Sequence, residues 1–238
     1  MADSDLLRSP VHAKHLDAGA VMCARDGWEV PLHYGQSKDE ALAARESAAI
    51  FDLSHFGRLR IRGDGALSLL EQVCPGDVAH QEDDTAVATS LLTAEPNAAT
   101  NCHLVRLADF WVLLTPPHLR TSLLDQLSPL AEQANAQVDD QTLKTVLFVV
   151  SGPAAAARLD PILPEPVSGL APLAVRSGSF MIARYIAARI DYTGQWCLAV
   201  ILPNILAGQA WRFITEKAGE NRISPAGLAA FDTLREKG

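Results

Sequence analysis

The run "TVLFVVSGP", residues 145–153, constrains the fold more than any other stretch of the chain. Val146 to Val150 are all apolar, and β-branched or aromatic residues dominate them. A strand with one wet face alternates polar and apolar residues, whereas a strand with no polar position needs cover on both faces. The run therefore predicts a central strand with a packed layer on either side. Gly152-Pro153 ends it in a turn, and "AAAARLDPIL" then reads as a short helix.

Other stretches supply the layers. Residues 1–27 read as a polar lead-in with a short helix around Ala13–Leu16, and "GWEVPLHYG", 27–35, as a loop containing Pro31. Residues 38–53 are rich in Ala and Glu and predict a helix, with Ser37 or Asp39 as its cap. "GRLRIRG", 57–63, alternates Leu59 and Ile61 with Arg58, Arg60 and Arg62, which predicts a strand whose arginines form a solvated face. A helix over 64–73, a strand over 85–93, a hairpin over 102–116 turning at Ala108-Asp109, and a helix over 117–135 follow. Strands at 178–187 and 196–203 flank "RIDYTGQW", 189–196, where Gly194 suits a tight reversal. Helical segments close the chain, and the Pro-rich stretch 159–175 reads as a surface connection. The β-α-β-β-α-β interleaving predicts an α+β fold of the split β-α-β kind.

Composition narrows the classes of function. The 238 residues are 48% hydrophobic and 20% charged, as in a globular protein with a sizeable core. A net charge of −8 and the lack of any Lys/Arg cluster exclude nucleic acid as the expected partner. Cys23, Cys74, Cys102 and Cys197 form no C-x-x-C pair, and the histidines show no helical metal spacing, so no metal site is expected. The polar N-terminus does not read as a signal peptide, and no uncharged apolar stretch approaches the ~20 residues that span a bilayer. No membrane partner and a cytoplasmic location are the expectations.

Several pieces in order resemble the glycine cleavage T-protein (aminomethyltransferase) family. They are "GWEVPLHYG", Glu40, Arg45 and "IFDLSHFGRLRIRGDGA"; then "GDV" at 76–78, "SGP" at 151–153, "RIDYTGQW" at 189–196 and "SPAGLAAFDTLR" at 224–235. The resemblance covers nearly the whole chain and lacks the family's C-terminal β-rich domain. It implies two ferredoxin-like units with antiparallel or mixed sheets around a folate-binding opening. One is a discontinuous unit of 1–55 plus 144–238, and the other an inserted unit of 56–143. It also implies folate-dependent one-carbon transfer of the glycine cleavage type, with tetrahydrofolate as cofactor. A partner chain or self-association is expected to cover the face of the absent domain.

Carried over residue by residue, the resemblance implies cofactor contacts from Gln195, Tyr192, Arg189, Tyr34 and Asn101. Gln195 stands where the family has Glu; an amide cannot copy a carboxylate's two-acceptor grip on a pterin edge, which implies weaker binding. Asn101 and Cys102 align with the family's acidic pair, and no acid lies between Asn97 and Leu107. The catalytic position is thus Asn101, implying an inactive replacement. Cys102 reads either as packing or as a substitute nucleophile. Phe231 stands where the family has Arg. Asp52, Ser54 and His55 read either as site-lining or as caps of the join before the strand. Two functions follow: an aminomethyltransferase homologue with weakened or lost catalysis, or a non-catalytic folate-binding or scaffold subunit like those of sarcosine-type oxidases or iron–sulfur maintenance proteins.

Overall fold

The fold was obtained as a computed structural model describing residues 6–74, 76, 78–90, 102–180 and 183–236. Three sheets organise it. In the smallest, β1 (Leu7–Arg8) runs parallel to β3 (Trp28–His33), and β2 (Val21–Arg25) pairs antiparallel on the other edge of β3. α1 (His12–Asp17) connects β1 to β2. α2 (Ser37–Glu46) then leads into β4 (Ala49–Asp52).

The five-stranded sheet uses β5 (Gly57–Arg62), β6 (Thr85–Thr89), β7 (Cys102–Leu107), β8 (Phe110–Thr115) and β9 (Gln137–Asp140), in the antiparallel order β6-β7-β8-β5-β9. α3 (Ala66–Val73) and α4 (Arg120–Ala134) cover one face of it. The six-stranded sheet uses β4 with β10 (Thr145–Ser151), β11 (Val175–Phe180), β12 (Ala183–Ala188), β13 (Cys197–Pro203) and β14 (Ser224–Pro225). Its order is β11-β12-β13-β10-β4-β14, antiparallel except at β14. α5 (Ala155–Leu159) and α6 (Asn204–Arg212) pack on its outer face, and α7 (Leu228–Arg235) packs with α2 on the inner one.

β10 is the central strand its composition predicts. Leu147 and Val149 enter the inner core with Phe51, Val105 and Phe231, while Val146, Phe148 and Val150 enter the outer core with Leu206 and Trp211. The inner core lies between the two large sheets, which also join through a bridge from Thr85 to Ala174. Among the described residues no helix is long and apolar enough to cross a membrane.

The structure departs from the sequence expectations in several places, the first being the polar lead-in, which contains strands β1 and β2. Residues 28–33 form a strand rather than a loop; Pro31 is accommodated opposite a register shift between Val21 and Met22, where its missing N–H costs no ladder bond. The helix expected over 38–53 stops at Glu46, because Ala49–Asp52 pairs with β10 and that ladder outweighs the helical bias of the preceding Ala-rich run. No Ser37 or Asp39 side chain caps α2. Instead Glu40 reaches back: its Oε1 accepts the N–H groups of Tyr34 (2.6 Å) and Gly35 (2.9 Å), and its Oε2 accepts that of Gly227 (2.8 Å). Instead of one strand over 178–187 there are two antiparallel strands, Val175–Phe180 and Ala183–Ala188, with Phe180 registered against Ala183.

A further correction concerns Arg58, which is not on a solvated face but fully buried. Its guanidinium donates to the carbonyls of Ser54, Phe56, Thr142 and Thr145 and to the Thr145 hydroxyl, tying the start of β5 to that of β10. Burial pushes its pKa down to about 10, yet leaves it charged at neutral pH. Arg60 instead remains at the surface, paired with Asp139.

Candidate functional site

The segment "DYTG" is a turn held by its own aspartate. Asp191 Oδ1 accepts the N–H groups of Thr193 (3.0 Å) and Gly194 (2.7 Å), and Gly194 takes a φ of 71° that residues with side chains avoid. The Thr193 hydroxyl sits 2.7 Å from that of Ser151 and 3.1 Å from the Cys197 sulfur, anchoring the turn to β10 and β13. This arrangement carries the Tyr192 ring into the wall of an open cavity of about 840 Å³.

The rest of the wall comes from distant parts of the chain. Phe56 enters from the β4–β5 connection, Cys102 and His103 from the start of β7, and Thr89 from the edge strand β6. Arg25 at the end of β2 and Asp232, Arg235 and Glu236 around the end of α7 form the mouth. The Tyr192 ring centroid lies 4.9 Å from that of His103 and 6.3 Å from that of Phe56, both edge-on.

Burial sets the chemistry of this wall. The Tyr192 hydroxyl is buried and has no hydrogen-bond partner among the described residues. Burial, with smaller effects from Cys197 and Cys102, raises its phenol above the ordinary value, so it stays protonated. Burial lowers the His103 pKa to about 4 against the pull of Asp191, leaving a neutral imidazole with one donor and one acceptor. Burial pushes the Cys102 thiol up to about 11, so it is a packed thiol rather than a thiolate nucleophile. At the mouth, Arg25 Nη2 donates to Asp232 Oδ2 at 3.3 Å. Arg235 lies 5.8 Å from the Phe231 ring and pairs with no carboxylate among the described residues.

Of the residues expected to hold a cofactor, Tyr192 stands in the cavity wall, while Gln195, Arg189 and Tyr34 lie outside it. Gln195 is half-buried in the same turn but outside the wall. The Arg189 guanidinium donates to the Leu170 carbonyl and lies 5.8 Å from the Trp196 ring. Tyr34 belongs to a different site: its hydroxyl meets His15 Nδ1 at 2.7 Å on the outer-core side. Asn101 lies outside the described residues. Phe231 is fully buried between Phe51 (5.3 Å), Phe56 (6.2 Å) and Tyr192 (6.2 Å).

Asp52 and Ser54 take the capping role of the two left open. Asp52 Oδ1 accepts both the N–H and the hydroxyl of Ser54, while Oδ2 accepts from Ser9 and His15. His55 is buried beside Phe56, and burial lowers its pKa to about 4.

Sequence reading passed over Phe56, His103, Arg25, Asp232 and Arg235 as site residues. A signal existed for two kinds of them. His103 is a polar residue inside an apolar strand, and Asp232 and Arg235 lie in the quoted C-terminal stretch.

The GCVT N-terminal domain family matches residues 11–238. Aminomethyltransferases of Deinococcus deserti and Streptomyces avermitilis are 31% and 30% identical over 98% and 94% of this chain. The matched regions are 64% and 60% of those relatives, so the chain spans somewhat under two thirds of their length. Glycine cleavage system aminomethyltransferase T from Bartonella henselae superposes with a TM-score of 0.86 at 26% identity, over 97% of this chain and 62% of that one. A chain of the heterotetrameric sarcosine oxidase from Corynebacterium sp. U-96 shares the fold, with a TM-score of 0.55 at 14% identity over 96% of each chain.

Proposed function

The chain belongs to the GCVT N-terminal domain family, and from that premise we propose that its central cavity binds a tetrahydrofolate while one-carbon transfer is weakened or lost. The observation that carries the first half is Tyr192, which lines the cavity and whose buried hydroxyl has no partner among the described residues. A buried polar atom left unpaired costs about 1–3 kcal/mol, which a ligand with a complementary group recovers. The other wall residues fit a flat heteroaromatic ring with an anionic tail. Phe56, Tyr192 and His103 offer apolar and ring surface, neutral His103 offers one donor and one acceptor, and Arg25 and Arg235 at the mouth suit carboxylates. When bound, tetrahydrofolate supplies the amines that accept a one-carbon unit.

The second half rests on which charges the wall offers. Asp191, Asp232 and Glu236 are the carboxylates at the cavity among its described residues, and none of them is buried. Asp191 is committed to its turn and Asp232 to Arg25. None of the three is enclosed away from water, and Asp191 and Asp232 already have partners, so the described wall offers no buried carboxylate to handle a proton. Phe231, at the position where the resemblance places Arg, offers only hydrocarbon.

Calorimetric titration with 5-formyltetrahydrofolate tests the binding. Saturable binding by the wild type is expected, weakened about tenfold by Tyr192→Phe; absence of saturation in the wild type overturns the reading. Ammonia release from an aminomethylated lipoyl carrier in the presence of tetrahydrofolate tests the rest. Release at the blank rate is expected, and enzymatic turnover overturns the loss of transfer without touching the binding.

A further inference from the structure

A second hollow lies on the outer face of the six-stranded sheet, across β10 and β13 from the central cavity. It is a groove of about 620 Å³, within the roughly 300–1,000 Å³ typical of small-ligand sites. Ala187 of β12 and Leu198 and Leu202 of β13 form its floor, each under 10% exposed. One wall is α6 through Leu206 and continues into the π-helical turn Phe213–Lys217; the facing wall is the Pro-rich segment 161–167. Phe213 stands at its edge 45% exposed.

The facing wall is held in shape before any ligand arrives. Asp160 Oδ1 accepts the N–H groups of Val167 (2.6 Å) and Ser168 (3.0 Å), and Arg176 donates to the Pro166 carbonyl. Prolines at 161, 164 and 166 restrict the chain further. Such a wall loses little conformational freedom on binding.

Charge then says what fits. Arg176 at the rim pairs with Glu165 at 3.2 Å, whereas Arg212 and Lys217 pair with no carboxylate among the described residues. Two unpaired cations beside an apolar trough, on a chain of net charge −8, select a ligand with a hydrocarbon body and one anionic head. A helix with its side chains is about 10–12 Å across, so this volume admits only about one turn of one. A single aliphatic chain matches it better.

We propose that the groove binds a free medium- to long-chain aliphatic carboxylate, its tail on Leu198 and Leu202 and its head between Arg212 and Lys217. Calorimetry with decanoate, dodecanoate and tetradecanoate below their micelle concentrations tests this on the whole chain. Saturable binding is expected, tightening about fourfold for each added methylene. Dodecyltrimethylammonium is expected to bind at least tenfold more weakly than dodecanoate. Arg212→Gln with Lys217→Gln, both at exposed positions that leave folding intact, should cost dodecanoate about tenfold, and Ala210→Trp should abolish binding by filling the groove. Unsaturable uptake, equal binding of the cationic amphiphile, or an unchanged affinity in the Arg212/Lys217 variant overturns the proposal. Sedimentation showing a dimer that Ala210→Trp dissolves would overturn it too, by making a second copy the occupant. Titration of these variants with 5-formyltetrahydrofolate should match the wild type, which separates this groove from the central cavity.

Discussion

Two Tyr–His pairs sit on opposite sides of the six-stranded sheet, and their difference separates structure from binding. In the outer pair, the Tyr34 hydroxyl meets His15 Nδ1 at 2.7 Å, His15 Nε2 meets Asp52 Oδ2 at 2.9 Å, and Ser9 and Ser54 complete the carboxylate's bonds. The named polar atoms of this cluster are bonded to one another, so nothing remains for a ligand to take up. In the inner pair, Tyr192 and His103 meet ring to ring, at 4.9 Å, and the phenol of this cavity-lining tyrosine is unpaired among the described residues. The same two residue types thus form a closed network in one place and an open one in the other. Hydrogen-bond accounting, rather than residue type, tells them apart.

The largest effect expected from this contrast is at Asp52. Burial raises its pKa, but the bonds and charge of His15, helped by Ser54 and Ser9, outweigh that and hold it below the ordinary value. Asp52→Ala strands buried His15 and should destabilise the protein by about 3–5 kcal/mol in urea unfolding. A loss under about 1 kcal/mol would mean that the outer network is not closed.

Next in size, counted per residue, is a pH effect from buried His55 and His103. His55 and His103 have pKa values lowered from 6.5 to about 4, chiefly by burial. Between those values the unfolded chain binds protons that the folded chain does not, so stability rises with pH across this window. The contribution is complete above about pH 6.5, is lost progressively as the pH falls toward 4, and is on the order of 3 kcal/mol per histidine. Urea midpoints at pH 7.5 and 4.5 check it, and His103→Gln should flatten part of the slope. Equal midpoints at the two pH values would contradict the burial.

The sharpest test uses a pair of small, opposite changes. Tyr34→Phe removes a satisfied hydrogen bond and should cost about 1 kcal/mol of stability while leaving folate titrations unchanged. Tyr192→Phe removes an unsatisfied hydroxyl, and should leave the free protein unchanged or more stable by up to about 1 kcal/mol while weakening folate binding. Thermal melts together with calorimetry read both signs at once. Equal destabilisation by the two variants would erase the distinction.

Much of the fold was legible in the chain itself. The apolar run of β10 announced cover on both faces, the β7–β8 hairpin showed its turn at Ala108-Asp109, and Gly194 marked a reversal. Boundaries where two local preferences compete were less legible. The Ala-rich helix α2 seemed in sequence to run on into Ala49–Asp52 because only pairing with β10 tells the two apart. Arg58 shows the same limit for burial. A period of two assigns it a face of β5, but whether water or protein lies beyond that face depends on the carbonyls of residues 142 and 145.

The cavity was the least legible part, since its wall draws on Arg25, Phe56, His103, Tyr192 and Arg235, which lie far apart along the chain. A motif advertises residues that lie close together in the chain, whereas this wall is assembled from short local groups, such as Cys102-His103, Asp191-Tyr192 and Asp232 with Arg235, that only the fold brings together. Tyr34 illustrates the converse, because its resemblance-derived role says nothing about the histidine that holds its hydroxyl.

By itself, the sequence determined the layered α+β architecture, the central strand and the tight turn at Gly194, because apolar periodicity and backbone sterics act over a few neighbouring residues. Tertiary structure alone decided which tyrosine is satisfied, which arginine is dry and which histidines are kept neutral. Those properties depend on hydrogen-bond partners and desolvation supplied by segments far away in the chain.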